Sequence, residues 1–283
     1  MVVMSEDAER PDLHDLKAAA ASAYSATADN FDADALSFWD RYGRDTVRRA
    51  GLRPGDRVVD ACCGTGASAL PAAHAVGPTG HVLGLDIAEP ALALARAKAA
   101  EQHLDNVEFR TADIEDTGLP PASRDAVVCV FGIFFLPDMA RGIAELWRLV
   151  RPGGLLAVTF WGPGWMEPGD TAFWEAVSTE RPDLVRGFQP WTRVTDGASI
   201  RALFRDGDAA EPEVEEEAGV HGMATPDDWW TVVLGTGYRA TVQRLDPDAA
   251  ARVRAASVSR LRRDGVSELQ ANVVYARARK ASA

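Results

Sequence analysis

Apolar residues recur along this chain with two different periods, and the switch between them maps its layout. From residue 17 to 50 the spacing is helical, with Tyr24, Phe31, Leu36, Phe38, Trp39, Tyr42 and Val47 on apolar positions. From Arg57 onward, short apolar runs alternate with helical stretches. The runs predict strands over 57–61, 81–86, 106–110, 125–131 and 154–160. The stretches between them predict helices over 67–76, 89–103 and 138–150. The second opens with Pro90, where a missing N–H is tolerated, and the third is followed by Pro152-Gly153-Gly154. Strands alternating with helices imply a parallel sheet covered on both faces.

The regularity breaks after Trp161. Residues 162–198 hold Trp165, Phe173, Trp174, Phe188 and Trp191 among four prolines, and read as an insertion suited to a lid or substrate domain. Beyond it the pattern predicts a helix over 199–206, a strand over 213–221, a helix capped by Thr225, a helix over 247–263 and a last strand over 271–278. Four parts are expected: an N-terminal helical cap (1–50), a cofactor-binding core (51–161), the insertion (162–198), and the closing part of the sheet with its helices (199–283).

The first predicted strand runs into Val58-Val59-Asp60-Ala61-Cys62-Cys63-Gly64-Thr65-Gly66, and Asp86 closes the second. An acid, a tight glycine loop and a second acid at the next strand end suit a nucleoside-containing cofactor held outside the carboxyl ends of the strands. A dinucleotide loop would carry a third glycine, but Ala69 stands there. Asp60, four residues before Gly64, disfavours a pyrophosphate and favours a ligand carrying positive charge.

These motifs, with Ala112-Asp113-Ile114, Leu119-Pro120, Val127 to Phe131 and Leu149 to Leu155, resemble in order and spacing the class I S-adenosylmethionine-dependent methyltransferases. The resemblance covers roughly residues 20–161. It implies an α/β, Rossmann-like doubly wound sheet of seven strands, mostly parallel, with an antiparallel last strand. It also implies S-adenosyl-L-methionine as the cofactor. Asp86 would then accept from the ribose hydroxyls and Ile87 would pack on the adenine. Asp113 would accept from the adenine amino group, with Ile114 beside the ring. Gly64 and Gly66 would let the backbone approach the methionine part, and Asp60 would orient the loop and offset the ammonium. Cys62 stands where the family usually has glycine or alanine. Phe131 falls near the methyl donor, with core packing as its other reading. The run Ala23 to Asp32 resembles a segment of the ubiquinone/menaquinone C-methylating group that folds over the cofactor. Tyr24 and Phe31 would then line the active site, or else pack in the core.

Composition narrows the acceptor. Thirty basic against forty-two acidic residues give a formal charge of −12, which repels phosphate backbones, so no nucleic-acid partner is expected. No apolar run reaches the roughly 18–20 residues of a membrane span, and the acidic start lacks a signal-peptide core. The expectation is a cytoplasmic enzyme without membrane insertion. Cys62, Cys63 and Cys129 have no metal-ligand spacing, so no metal is expected.

The aromatic residues Phe135, Trp161, Trp165, Trp174 and Trp191 suit a flat hydrophobic acceptor, or simply hold the insertion to the sheet. C- or O-methylation of a quinone- or terpenoid-like molecule of specialised metabolism fits them best. Arg181, Arg186 and Arg193 are candidates for a diphosphate-bearing acceptor. Glu167, in an apolar stretch, and Tyr24 are the candidate proton-handling residues, with an exposed loop glutamate as the plainer reading of Glu167. The alternative class is a cofactor-retaining fold repurposed as a cyclase or binding module. The pattern does not decide between a monomer and a homo-oligomer.

Overall fold

The computed structural model describes residues 33–185 and 189–282. Tyr24, Phe31, Arg186 and Phe188 lie outside them. The sheet contains β1 (Arg57–Ala61), β2 (His81–Asp86), β3 (Val107–Thr111), β4 (Arg124–Val130), β5 (Val150–Trp161), β6 (Glu213–Glu217) and β9 (Val273–Arg279). Its order is β3-β2-β1-β4-β5-β9-β6. β9 runs antiparallel to both β5 and β6, whereas β3, β2, β1, β4 and β5 are parallel. The seven-stranded, mostly parallel sheet expected from the sequence is therefore present.

The central strands are apolar throughout because both faces are covered. Val59 and Val127 point into one core, while Val58, Ala126 and Val128 point into the other. The second core is closed by α1 (Phe38–Ala50) and α2 (Ala69–Val76). Tyr42 of α1 donates to the Ala271 carbonyl at 2.6 Å, and Thr46 shares a hydrogen bond with Thr159 at 2.7 Å. These bonds tie α1 to the far side of the sheet. α3 (Glu89–Glu101) and α4 (Met139–Leu149) complete the crossovers, and the Asp138 carboxylate caps α4 through the Arg141 N–H.

Three boundaries differ from the pattern. α4 ends at Leu149 and β5 starts at Val150, so Pro152-Gly153-Gly154 lies inside the strand rather than at a helix stop. A register shift between Arg124 and Ala126 in β4 absorbs the irregularity. The run 213–221 is not one strand. β6 stops at Glu217, and β7 (Val220–Gly222) pairs instead with β8 (Glu268–Gln270) in a second, two-stranded sheet. Gly219 marks the crossing, with its N–H on the Asn272 side chain and its carbonyl taking the Ala271 N–H. Thr225 does not cap the next helix; its own N–H donates to Asp228 at 2.9 Å.

Beyond β5, α5 (Gly169–Glu180), α7 (Asp228–Leu234), α8 (Arg239–Val242) and α9 (Pro247–Arg263) form a helical lobe, whereas α6 (Gly197–Asp206) packs on α4 and β6. Short 3-10 turns, Pro182–Leu184 and Pro190–Thr192, link α5 to α6. α9 packs along α5, with Arg252 on Glu180 and Arg260 on Glu175. Among the described residues no helix is long and apolar enough to cross a membrane.

Candidate active site

A crevice opens where the parallel strands end. Its rim is built from the loop after β1, the end of β2, the turn after β3 and the turn after β4. Lining it are Cys62, Cys63, Gly64, Thr65, Ser68, Asp86, Ile87, Asp113, Ile114, Phe131, Gly132, Phe135 and Leu136, with Trp39 from α1.

The loop after β1 departs from ordinary backbone. Cys62, Gly64 and Gly66 have φ of 58°, 52° and 91°. For a non-glycine residue such as Cys62 this conformation costs on the order of 1–3 kcal/mol. At Gly64 an added Cβ would meet no atom within 4 Å, so the missing side chain leaves backbone bare toward the crevice. Asp86 holds the loop in this shape. One carboxylate oxygen accepts from the Gly64 N–H and the other from the Ala88 N–H, each at 2.9 Å. Burial pushes the Asp86 pKa up, and these N–H donors pull against it.

Behind the loop sits Asp60, fully buried. Ser68 donates to its Oδ2 at 2.7 Å, while Oδ1 has no partner among the described residues. Burial pushes its pKa up to about 7; the Ser68 bond opposes that shift and the Asp86 charge adds to it. Contact with Cys129 and then burial push the Cys62 thiol well up, and burial does the same to Cys63, so both stay protonated at neutral pH. Asp113 accepts from the Glu115 N–H at 3.0 Å in a tight turn beside Ile114.

The opposite wall is apolar. Phe131, at the end of β4, takes φ of 53° and donates its N–H to the Thr159 carbonyl. Its ring stacks on Trp161 at 3.7 Å with the planes 5° apart. Gly132 follows, and a Cβ there would come within 2.7 Å of the Cys62 sulfur, so only glycine lets this turn lie against the loop.

The crevice thus has carboxylates on one side and rings on the other. Among the described residues its lining holds no lysine, arginine or histidine. A pyrophosphate finds no cation here, whereas a ligand with positive charge and an adenosine fits. The Asp86 and Asp113 carboxylates and the bare Gly64 backbone are the features that such a ligand would use.

Residues 58–154 match the methyltransferase domain family. The nocamycin O-methyltransferase of Saccharothrix syringae is 30% identical over 248 residues, covering 80% of this chain and 84% of that protein. The chain belongs to the S-adenosylmethionine-dependent methyltransferases. The demethylmenaquinone methyltransferase of Listeria monocytogenes is 34% identical over 131 residues, covering 45% of this chain and 55% of that one. The solved structure of YcgJ from Bacillus subtilis shares the fold, with a TM-score of 0.57 at 16% identity over 86% of this chain and 100% of that one.

Of the residues singled out in the sequence, Cys62, Gly64, Asp86, Ile87, Asp113, Ile114, Phe131 and Phe135 meet in this methyltransferase crevice. Asp60 and Gly66 sit one layer behind its lining. Four of the aromatic residues do not reach it. Trp161, Trp165, Trp174 and Trp191 are all buried, and none belongs to the lining. Trp161 ends β5 and stacks against Phe131, and the other three turn inward because the irregular segment that carries them closes over its own core. Trp165 lies parallel to Tyr238, and Trp191 meets both rings edge-on. Glu167 is also elsewhere. Its carboxylate accepts from the Thr171 hydroxyl at 2.8 Å and the Thr171 N–H at 3.3 Å, which fastens the first turn of α5. Ser68, Gly132 and Leu136 were not singled out. The first lies eight residues past Asp60, on the helix-start side of the loop; the other two follow the end of β4. Strand-end position is the signal for Gly132 and Leu136, and the helix-start position is the signal for Ser68.

Proposed function

We propose that the enzyme methylates an oxygen or carbon atom of a flat, hydrophobic small molecule. The observation that carries this reading is the split character of the crevice: Asp86 and Asp113 on one side, Trp39, Phe131, Phe135 and Leu136 on the other. One relative is named an O-methyltransferase of nocamycin and another a methyltransferase of demethylmenaquinone, small-molecule acceptors in both names, which supports that part of the reading.

When bound, S-adenosylmethionine supplies a methyl group already activated on a sulfonium. In this reading Asp86 takes the ribose hydroxyls on its remaining lone pairs, and Ile87 and Ile114 flank the adenine. Asp113 receives the adenine amino group. The Cys63–Thr65 backbone and Gly64 lie along the methionine part, and Asp60, through Ser68 and the loop, balances its ammonium. Phe131 and Phe135 orient the acceptor and keep water from the transfer path, which is what this displacement asks of a protein. Tyr24 and Phe31, outside the described residues, remain candidates for the acceptor side. Glu167 is not assigned proton transfer.

The test is incubation with methyl-labelled cofactor and a panel of hydrophobic phenols, enols and naphthohydroquinones, beside small amines and oligonucleotides. Label on an aromatic oxygen or ring carbon is the expected result. Label confined to the amines or the oligonucleotides would overturn the reading.

A further inference from the structure

One ring of the crevice, Phe135, stands on a short turn, Ile133–Phe135, with Leu136 and Pro137 continuing it. Such a turn after a strand end has few backbone bonds of its own: Phe135 N–H to the Gly132 carbonyl and Leu136 N–H to the Ile133 carbonyl, both 3.1 Å. Its outward carbonyls therefore need partners from elsewhere. They find them in one side chain. Arg193 donates through Nη1 to the carbonyls of Phe134 (3.2 Å) and Leu136 (2.6 Å), and through Nη2 to that of Pro137 (3.2 Å). Among the described residues no carboxylate bridges this guanidinium; burial pulls its pKa down and the charge of Asp138 pulls it back.

From this convergence we propose that Arg193 is a positioning residue: it fixes the Phe135–Leu136 wall and thereby sets the fit of the methyl acceptor. This rests on the reading of that wall as the acceptor side. Arg193 is anchored in turn. It follows the turn Pro190–Thr192, whose Trp191 is buried against Trp165 and Tyr238. The wall is thus gripped from the lobe by Arg193. On its inner face, the Leu136 side chain fills the space that a Cβ at Gly142 of α4 would occupy. One fork of donors spans three carbonyls, a geometry that lysine's single ammonium cannot reproduce. The arginine considered from sequence as a contact for a charged acceptor is instead committed to backbone.

The test compares full-length wild type, Arg193→Met and Arg193→Lys by hydrogen–deuterium exchange, S-adenosylhomocysteine titration and binding of 2-methyl-1,4-naphthoquinone to the cofactor-product complex. Methionine keeps the length and removes every donor. Arg193→Met should speed exchange at the Phe135 and Leu136 amides about 10-fold or more while β1 and β4 keep their protection. S-adenosylhomocysteine affinity should stay within about 3-fold and the naphthoquinone should bind about 10-fold more weakly. Arg193→Lys should recover part of both losses. Unchanged exchange at Phe135 and Leu136 in a folded Arg193→Met protein would overturn the proposal, as would equal loosening of β1 and β4. Failure of the wild type to bind the naphthoquinone would count against the flat-acceptor reading alone, since the exchange result judges Arg193 without it.

Discussion

The crevice at the ends of β1 to β4 and the lobe beyond Trp161 are both built around aromatic rings, yet they use them differently. In the crevice, Phe131 and Phe135 face a space shared with two carboxylates, and the backbone of Cys62 and Phe131 is held in the left-handed region. In the lobe, Trp165, Phe173, Trp191, Trp229 and Tyr238 face one another, all buried. Even the lobe's acid serves packing: Asp170 takes the Tyr238 hydroxyl at 2.7 Å and the Trp174 indole N–H at 3.0 Å. One region holds strained backbone around a buried carboxylate with an unmet oxygen; the other packs ring on ring and leaves the indole N–H groups of Trp165 and Trp229 buried without partners among the described residues. Strained backbone clusters at binding sites, and the strained residues Cys62 and Phe131 both line the crevice. The boundary runs through Trp161, which stacks on Phe131 on one side and leans on Trp165, 5.0 Å away, on the other.

The largest expected effect is on stability, and it breaks the comparison if it fails. Trp165→Ala should cost about 3–5 kcal/mol in denaturant unfolding, with S-adenosylhomocysteine affinity of the folded protein within about 3-fold of wild type. A folded variant that loses the ligand would place Trp165 in the site. Asp86→Asn does the reverse. The amide nitrogen faces an N–H donor on one side, so the loop loses a charge-assisted bond and the ribose loses its acceptor. Calorimetry should show about 100-fold weaker binding, or roughly 3 kcal/mol, with a smaller change in thermal midpoint.

The third effect is a pH dependence. Asp60 has a folded pKa of about 7 against an ordinary 3.8. Its contribution to fold stability is fully present below the lower value and is lost as pH rises through the higher one. Ligand binding has the opposite sign, because a cation favours the ionised carboxyl. S-adenosylmethionine affinity should climb by up to about 10-fold per unit as pH approaches about 7 from below, then level off. Asp60→Asn should flatten that slope; an unchanged slope would move the titration to another group. The smallest effect is at Glu167. Glu167→Gln keeps an acceptor for Thr171 and should leave the methyl-transfer rate within about 2-fold. A loss of 100-fold or more would return proton transfer to this residue.

The legibility of the chain followed the same boundary. The acid–glycine-loop–acid series was readable because each element is local: an apolar strand, its end, and the turn after it. The inward turn of Trp165, Trp174 and Trp191 was not readable, since a proline-interrupted segment has no period from which to infer a buried face. Glu167 in an apolar stretch looks alike whether it meets a substrate or the first turn of a helix; only the fold brings Thr171 to it. Gly219 breaks an alternating run through contacts with Ala271 and Asn272, some fifty residues away in the chain. Arg193 reaches carbonyls nearly sixty residues earlier, a pairing that no spacing rule contains.

The most direct measurement is a crystal structure with S-adenosylhomocysteine bound. The proposed reading predicts ribose hydroxyls within hydrogen-bond reach of the Asp86 carboxylate and the sulfur turned toward Phe131, Gly132 and Phe135. A sulfur turned instead toward Trp165 and Glu167, with the ribose away from Asp86, would contradict it.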